Sequence, residues 1–132
     1  MHIAITGRID ERFDPGVVPP DVSKIIVHLG GVQSVSSIGV RTLERFFDSL
    51  RPREVTLIHV APSLALQAIL IPQLTSHAQV QSAKLPFVCG KCQGEKNQSV
   101  PWRHDAHKQF APTCTCGTVM ELDGLADHYL PS

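Results

Sequence analysis

Val35-Ser36-Ser37-Ile38-Gly39-Val40-Arg41-Thr42-Leu43-Glu44-Arg45-Phe46-Phe47-Asp48-Ser49-Leu50 is the stretch whose reading decides the fold. Ser36 stands where a helix N-cap belongs, because its hydroxyl can accept a hydrogen bond from a free amide of the first turn. Leu43, Phe46, Phe47 and Leu50 then recur at helical spacing and make one apolar stripe. Arg41, Glu44, Arg45 and Asp48 fall on the opposite side. Just upstream, Lys24 to Leu29 carries the nearly continuous apolar run Ile25-Ile26-Val27, as expected of a strand covered on both faces. A buried strand therefore enters a Ser-Ser-Ile-Gly turn, and the turn opens an amphipathic helix. Amides at such a helix start favour an anion, so a phosphorylated serine there would be tolerated.

The same logic extends in both directions. Met1 to Ile9 alternates loosely and predicts a strand, with Gly7 near its end. Pro15-Gly16 and Pro19-Pro20 predict an irregular connection, and Asp21 to Ser23 caps a single turn at most. Downstream, Pro52 ends the first helix. Glu54 to Val60 predicts a third strand, and Pro62 starts a second helix that Pro72 limits. Val80 to Val88 reads as a fourth strand or an extended lead into a cysteine-bearing region. Strands alternating with helices predict an α/β layer structure with a mixed or parallel sheet.

These residues carry a family resemblance. Strand, then Val35-Ser36-Ser37-Ile38-Gly39-Val40, then helix resembles the hydrophobic-Asp-Ser-Ser/Thr-Gly-hydrophobic signature of STAS domains of the anti-sigma factor antagonist type. Ile3-Ala4-Ile5-Thr6-Gly7-Arg8-Ile9-Asp10 is similar to the strand-Gly-x-hydrophobic-Asp signature near the start of those domains. The resemblance reaches about Leu85. The chain departs from the pattern in two places: the helix usual between the first two strands is replaced by loop, and Ser36 stands where the family has aspartate. The resemblance implies Ser37 as the phosphoacceptor, with Ser36 the alternative. It also implies a protein partner of the serine kinase or anti-sigma type, and a bacterial source.

Composition narrows the classes. The chain has 132 residues, room for one domain with an appendage. Twelve basic and twelve acidic side chains cancel formally, so no bulk attraction to nucleic acid or anionic membrane is expected. Neither a leader peptide nor a membrane span is apparent, since the most apolar run, Leu64 to Ile71, is too short to cross a bilayer.

All four cysteines fall after residue 88, as Cys89-Gly90-Lys91-Cys92 and Cys114-Thr115-Cys116-Gly117. In a chain without a secretory signal this pattern predicts metal rather than disulfides, and a cytoplasmic setting. Four thiolates suit a tetrahedral structural zinc ion and leave no open position for catalysis. The first pair follows a strand, as in a zinc ribbon; the second has one intervening residue where the ribbon has two. A mixed set including His104, His107 or His128, free or oxidised thiols, and a rubredoxin-like iron site stay open. Few large apolar residues follow residue 88, so a metal clip is a sensible stabiliser there.

The division expected is a STAS-like domain over residues 1–86 and a zinc-ribbon-like extension over 87–132. The function expected is a non-enzymatic regulatory interaction module whose partner meets Ser36, Ser37, Arg41 and Glu44. A nucleic-acid-binding or transcription-associated ribbon protein is the competing reading; self-association stays open. No Ser/His/Asp arrangement is recognisable, and Asp10-Glu11 reads as a solvated strand end. The seven histidines, among them His2, His28 and His77, read as surface or core-edge positions.

Overall fold

The computed structural model describes residues 1–131. Strands β1 (His2–Ile9), β2 (Lys24–Val35), β3 (Glu54–Ile58) and β4 (Gln79–Val80) form a parallel sheet in that order. Helix α1 (Ser37–Ser49) connects β2 to β3, and α2 (Pro62–Leu70) with a 3-10 turn (Pro72–Thr75) connects β3 to β4. A second, antiparallel sheet follows. Its order is β6 (Glu95–Pro101), β5 (Ser82–Val88), β7 (Glu121–Leu122), and the short helix α3 (Ala106–Gln109) lies between β6 and β7.

The core forms on one face of the parallel sheet. Ile5 and Ile9 of β1, Ile25, Val27 and Leu29 of β2, and Val55 and Leu57 of β3 are buried at alternate positions. The stripe Leu43, Phe46, Phe47 and Leu50 of α1 meets them, with Leu64 and Ala65 of α2. Among the described residues, no helix lies on the opposite face. His2, Ala4, Thr6 and Arg8 are exposed there, while Ile26 and His28 are half-buried. The apolar run in β2 therefore does not reflect burial on both faces, as the sequence suggested. Ile26 is shielded only in part by its neighbours in the sheet.

Two further expectations change. Strand β2 continues through Gly30-Gly31 to Val35 rather than ending at Leu29. These glycines permit close packing: a Cβ on Gly31 would lie 2.7 Å from Cγ2 of Thr6. The pairing of β1 with β2 slips near this point, between Ala4 and Thr6 and again between Gly7 and Arg8. Likewise, Val80 to Val88 is not one strand. Gln81 turns the chain, its amide bonding Leu57 O at 2.8 Å and its carbonyl accepting from Trp102 N at 3.0 Å. The residues before Gln81 close the first sheet and those after it open the second. A parallel bridge between Val60 and Ala83 joins the two sheets, and Leu85, Phe87, Val100 and Met120 extend the same apolar core.

Loop 10–23 takes the place of the missing helix. Asp10 and Asp14 each accept a backbone amide two residues on, from Arg12 and Gly16, both at 2.9 Å. Arg53 then fastens the loop: Nε donates to Val22 O at 3.0 Å and an Nη to Pro19 O at 3.2 Å.

The tightest junction lies where α1 meets the end of β1. The Ser36 amide donates to Ile9 O at 2.9 Å. A Cβ on Gly39 would sit 1.9 Å from that same oxygen and 2.5 Å from its carbon. Backbone, not a flexible side chain, blocks the space. Gly39→Ala should therefore destabilise the protein by about 2 kcal/mol or more, as overpacking does. On an unobstructed helix the same change would add roughly 1 kcal/mol of stability. Urea unfolding with an unchanged slope and a lower midpoint would show it; a midpoint at or above wild type would overturn the packing argument.

Candidate metal centre and interaction surface

The turn after β2 is built around two serines with different roles. Ser36 Oγ accepts the amide of Gly39 at 3.0 Å and so caps α1. Ser37, the first residue of the helix, is exposed, and its hydroxyl makes no hydrogen bond among the described residues. Beside it Ile38 is 54 % exposed, a large apolar side chain standing in solvent. The first turn carries no acidic side chain, so the positive end of the helix dipole is uncompensated there.

A shallow depression of about 380 Å³ opens beside this turn, lined by Val35, Ser37, Arg41, Glu44, Gln67 and Ile71. A second, of about 430 Å³, continues along α1 past Arg41, Arg45 and Asp48 to Gln73, Ser76 and His77. Asp48 holds its lower rim together, 3.3 Å from Arg51 Nε and 3.4 Å from His77 Nε2. The structure thus brings Ser37, Arg41 and Glu44 onto one continuous surface between the helices, whereas Ser36 caps α1 and does not line it.

The four cysteines converge from two tight turns. Cys89 follows β5 directly; its amide donates to Gly94 O at 2.8 Å and its carbonyl accepts from Gln93 N at 3.0 Å. Gln93 adopts φ +65°, which closes this turn. Around the second pair, Cys114 N donates to Thr118 O at 2.8 Å and Gly117 N to Cys114 O at 2.9 Å, with Gly117 at φ +90°. The shorter Cys-x-Cys spacing is thereby accommodated: a left-handed glycine after it turns both sulfurs to the same side.

All four sulfurs lie within 4.8 Å of one another. Cys92 and Cys114 are 3.3 Å apart, and Cys89 and Cys116 are 3.6 Å apart. A disulfide would need about 2.05 Å. Four thiolates on one zinc ion, each at about 2.3 Å, stand roughly 3.8 Å apart, close to these separations. Gly94 lines the cluster: a Cβ there would lie in ordinary contact with Cys92 Sγ at 3.4 Å and Cys114 Sγ at 3.7 Å. Cys89 is buried and Cys92 and Cys116 are exposed, so the cluster faces solvent on one side. The four cysteines can hold a metal ion, and among the described residues no histidine joins them.

The electrostatics of the cluster agree with its crowding. Backbone hydrogen bonds from the Cys92 and Lys91 amides hold the Cys89 thiol below its ordinary value. The Cys116 amide does the same for Cys114, and Thr118 for Cys116. At Cys92 the Gly94 amide pulls downward, but the neighbouring thiols of Cys114 and Cys89 prevail and push it up to about 12. Four anionic sulfurs at this spacing repel one another unless a cation sits among them.

Elsewhere, His59 stands out. It takes φ +54°, and its Nδ1 lies 2.6 Å from Ser99 Oγ. Burial, then the charges of His28 and Lys84, hold its imidazole below the usual histidine range. Nothing in the local sequence marks this residue, because its neighbours come from three other strands.

No curated protein and no solved structure matches this chain. The family model of the STAS domain matches residues 2–74, the span that contains strands β1, β2 and β3 of the parallel sheet, both long helices and the Ser36–Ser37 turn. Covering more than half of the 132 residues, that match establishes that the chain belongs to the STAS domain family.

Proposed function

We propose that the protein is a regulatory interaction module in which the surface between α1 and α2 binds a protein partner and Ser37 carries the switch. STAS domains commonly serve as regulatory protein–protein interaction modules. The observation that carries the reading is the division of labour between Ser36 and Ser37. Ser36 holds the helix cap, which leaves the Ser37 hydroxyl exposed and free to be modified without undoing the fold. A phosphoryl group on Ser37 would add about −1.5 to −2 charges at the uncompensated positive end of α1. It would also stand beside Arg41 and Glu44 on the lining of the depression. A partner of the serine kinase or anti-sigma type is the class that fits, in a cytoplasmic setting.

The cysteine cluster is, in this reading, a structural zinc site, with Cys89, Cys92, Cys114 and Cys116 as the ligands. The chain then works as a STAS-like part over residues 1–86 and a ribbon-like part over 87–132. Strand β5 ties them, since it pairs with β6 and β7 and bridges through Ala83 to Val60. The ribbon-like part holds few large apolar side chains of its own, so the ion supplies closure there.

Protein purified without chelator should carry about one zinc per chain by elemental analysis. Cys92→Ser should lose the ion and lower the melting temperature, with faster hydrogen exchange confined mainly to residues after 88. Full zinc content in that variant would remove the proposed ligand set.

The turn gives the second test. Ser37→Asp should change partner capture strongly while moving stability by only about 0.3–1 kcal/mol, in the stabilising direction. Ser37→Ala should capture partner as the unmodified protein does. Ser36→Ala should cost about 1 kcal/mol through the lost cap and leave partner choice unchanged. Affinity capture with each variant, read beside thermal melts, measures both; equal capture by all of them would reduce the turn to a helix cap.

A further inference from the structure

A row of three histidines crosses the face of the parallel sheet that no helix covers. His2 lies on β1 and His28 on β2, both on that open face, and the register sets them diagonally: His2 is opposite Ile26, and His28 opposite Ala4. Their rings meet, Nδ1 of His2 standing 2.8 Å from Nε2 of His28 with centroids 5.1 Å apart. Beyond His28 comes His59, its ring centroid 6.3 Å from that of His28.

We propose that His2, His28 and His59 form a binding site for a divalent late transition-metal ion, with His28 as the central ligand and the site separate from the cysteine cluster. The distances carry the argument. Two imidazoles on one tetrahedral ion, bonded at about 2.0–2.1 Å, hold their ring centroids roughly 5 Å apart. His2 and His28 already stand at 5.1 Å. Their facing nitrogens, 2.8 Å apart, must separate by about half an ångström to share an ion at that bond length, and His2 is exposed enough to move. His59 is about an ångström further out with its Nδ1 bonded to Ser99 Oγ, so its ligation requires that hydrogen bond to be released and the ring to turn toward His28. Its backbone stands at φ +54°, a conformation that non-glycine residues hold only where the surroundings impose it, and such positions gather at functional sites.

The donor set defines the ion. Three neutral nitrogens without a thiolate or a carboxylate favour nickel, copper or zinc over calcium or magnesium. One neighbour opposes it. Lys84 Nζ and His59 Cβ both lie beside Gly30, at 3.2 Å and 3.4 Å from where its Cβ would be. That ammonium weakens cation binding and gives the proposal a directional test.

Nickel(II) is the probe, because it prefers imidazole and is paramagnetic. The full chain is titrated with nickel chloride at neutral pH, with binding read by calorimetry and ring resonances by NMR. The chain has seven histidines, so His77, His104, His107 and His128 serve as internal controls. Nickel should broaden the rings of His2, His28 and His59 first. His28→Asn should weaken uptake at least the roughly tenfold that loss of even an outer-shell partner costs a metal site. For His59 the variant is also Asn, which tolerates the left-handed backbone and keeps the fold intact. Lys84→Met should tighten binding. Uniform broadening of all seven rings, an unchanged affinity in His28→Asn, or weaker binding in Lys84→Met would each overturn the site. The cysteines are untouched in every variant, so the cluster's own metal content is scored separately.

Discussion

The structure depends on one close approach, that of Gly39 to the carbonyl of Ile9. The parallel pairing of β1 and β2 brings the end of β1 beneath the start of α1. The Ile9 oxygen accepts the Ser36 amide, and the absent side chain of Gly39 lets the helix settle directly over it. Only in that position does the stripe from Leu43 to Leu50 reach the sheet, and only then does the Ser36 hydroxyl point back to cap the helix. The turn's Ser-Ser-Ile-Gly order is thus a packing requirement as much as a recognition signal. Its first serine and its glycine hold the junction, while its second serine and isoleucine stand in solvent.

Much of this was legible in the residues. The α1 stripe recurs from Leu43 to Leu50 over about two turns, and the Ser36 cap opens the helix directly, so local pattern sufficed. The cysteine turns were legible for the same reason: two ligands per turn lie within a few residues, and only the meeting of the turns is long-range. Three features were not. Gly30-Gly31 looks like a break, but Thr6, twenty-five residues upstream, is what occupies the space a side chain would need. The split of Val80–Val88 rests on Gln81 bonding Leu57 and Trp102, again distant partners. The His2–His28 contact depends on strand register, which periodicity does not encode.

The two sheets share one apolar interior. Leu85, Phe87 and Met120 of the cysteine-bearing part belong to the same cluster as the sheet and helices of the family domain, and Leu130 returns from the C-terminal segment to join it. Cys89 is itself wholly buried in that cluster. One wall of the cysteine cluster is therefore core, and the other, at Cys92 and Cys116, is water. A thiolate anchored in a close-packed interior is positioned by everything around it, whereas its exposed counterparts are positioned mainly by their own turns.

Arg53 has a consequence for how this fold varies. Its guanidinium collects the carbonyls of Pro19, Val22 and, at 3.4 Å, Leu50 at a single point, so loop 10–23 is pinned near its downstream end, and Phe13, Val18 and Val22 rest against the core from its flanks. Upstream of that pin, Val17 is 94 % exposed. Closing a longer loop onto the same anchor adds only about 0.6 kcal/mol for each doubling of its length. The segment between Asp14 and Val18 is thus the place where this scaffold can gain or lose residues, or accept a grafted peptide, while the sheet below keeps its register.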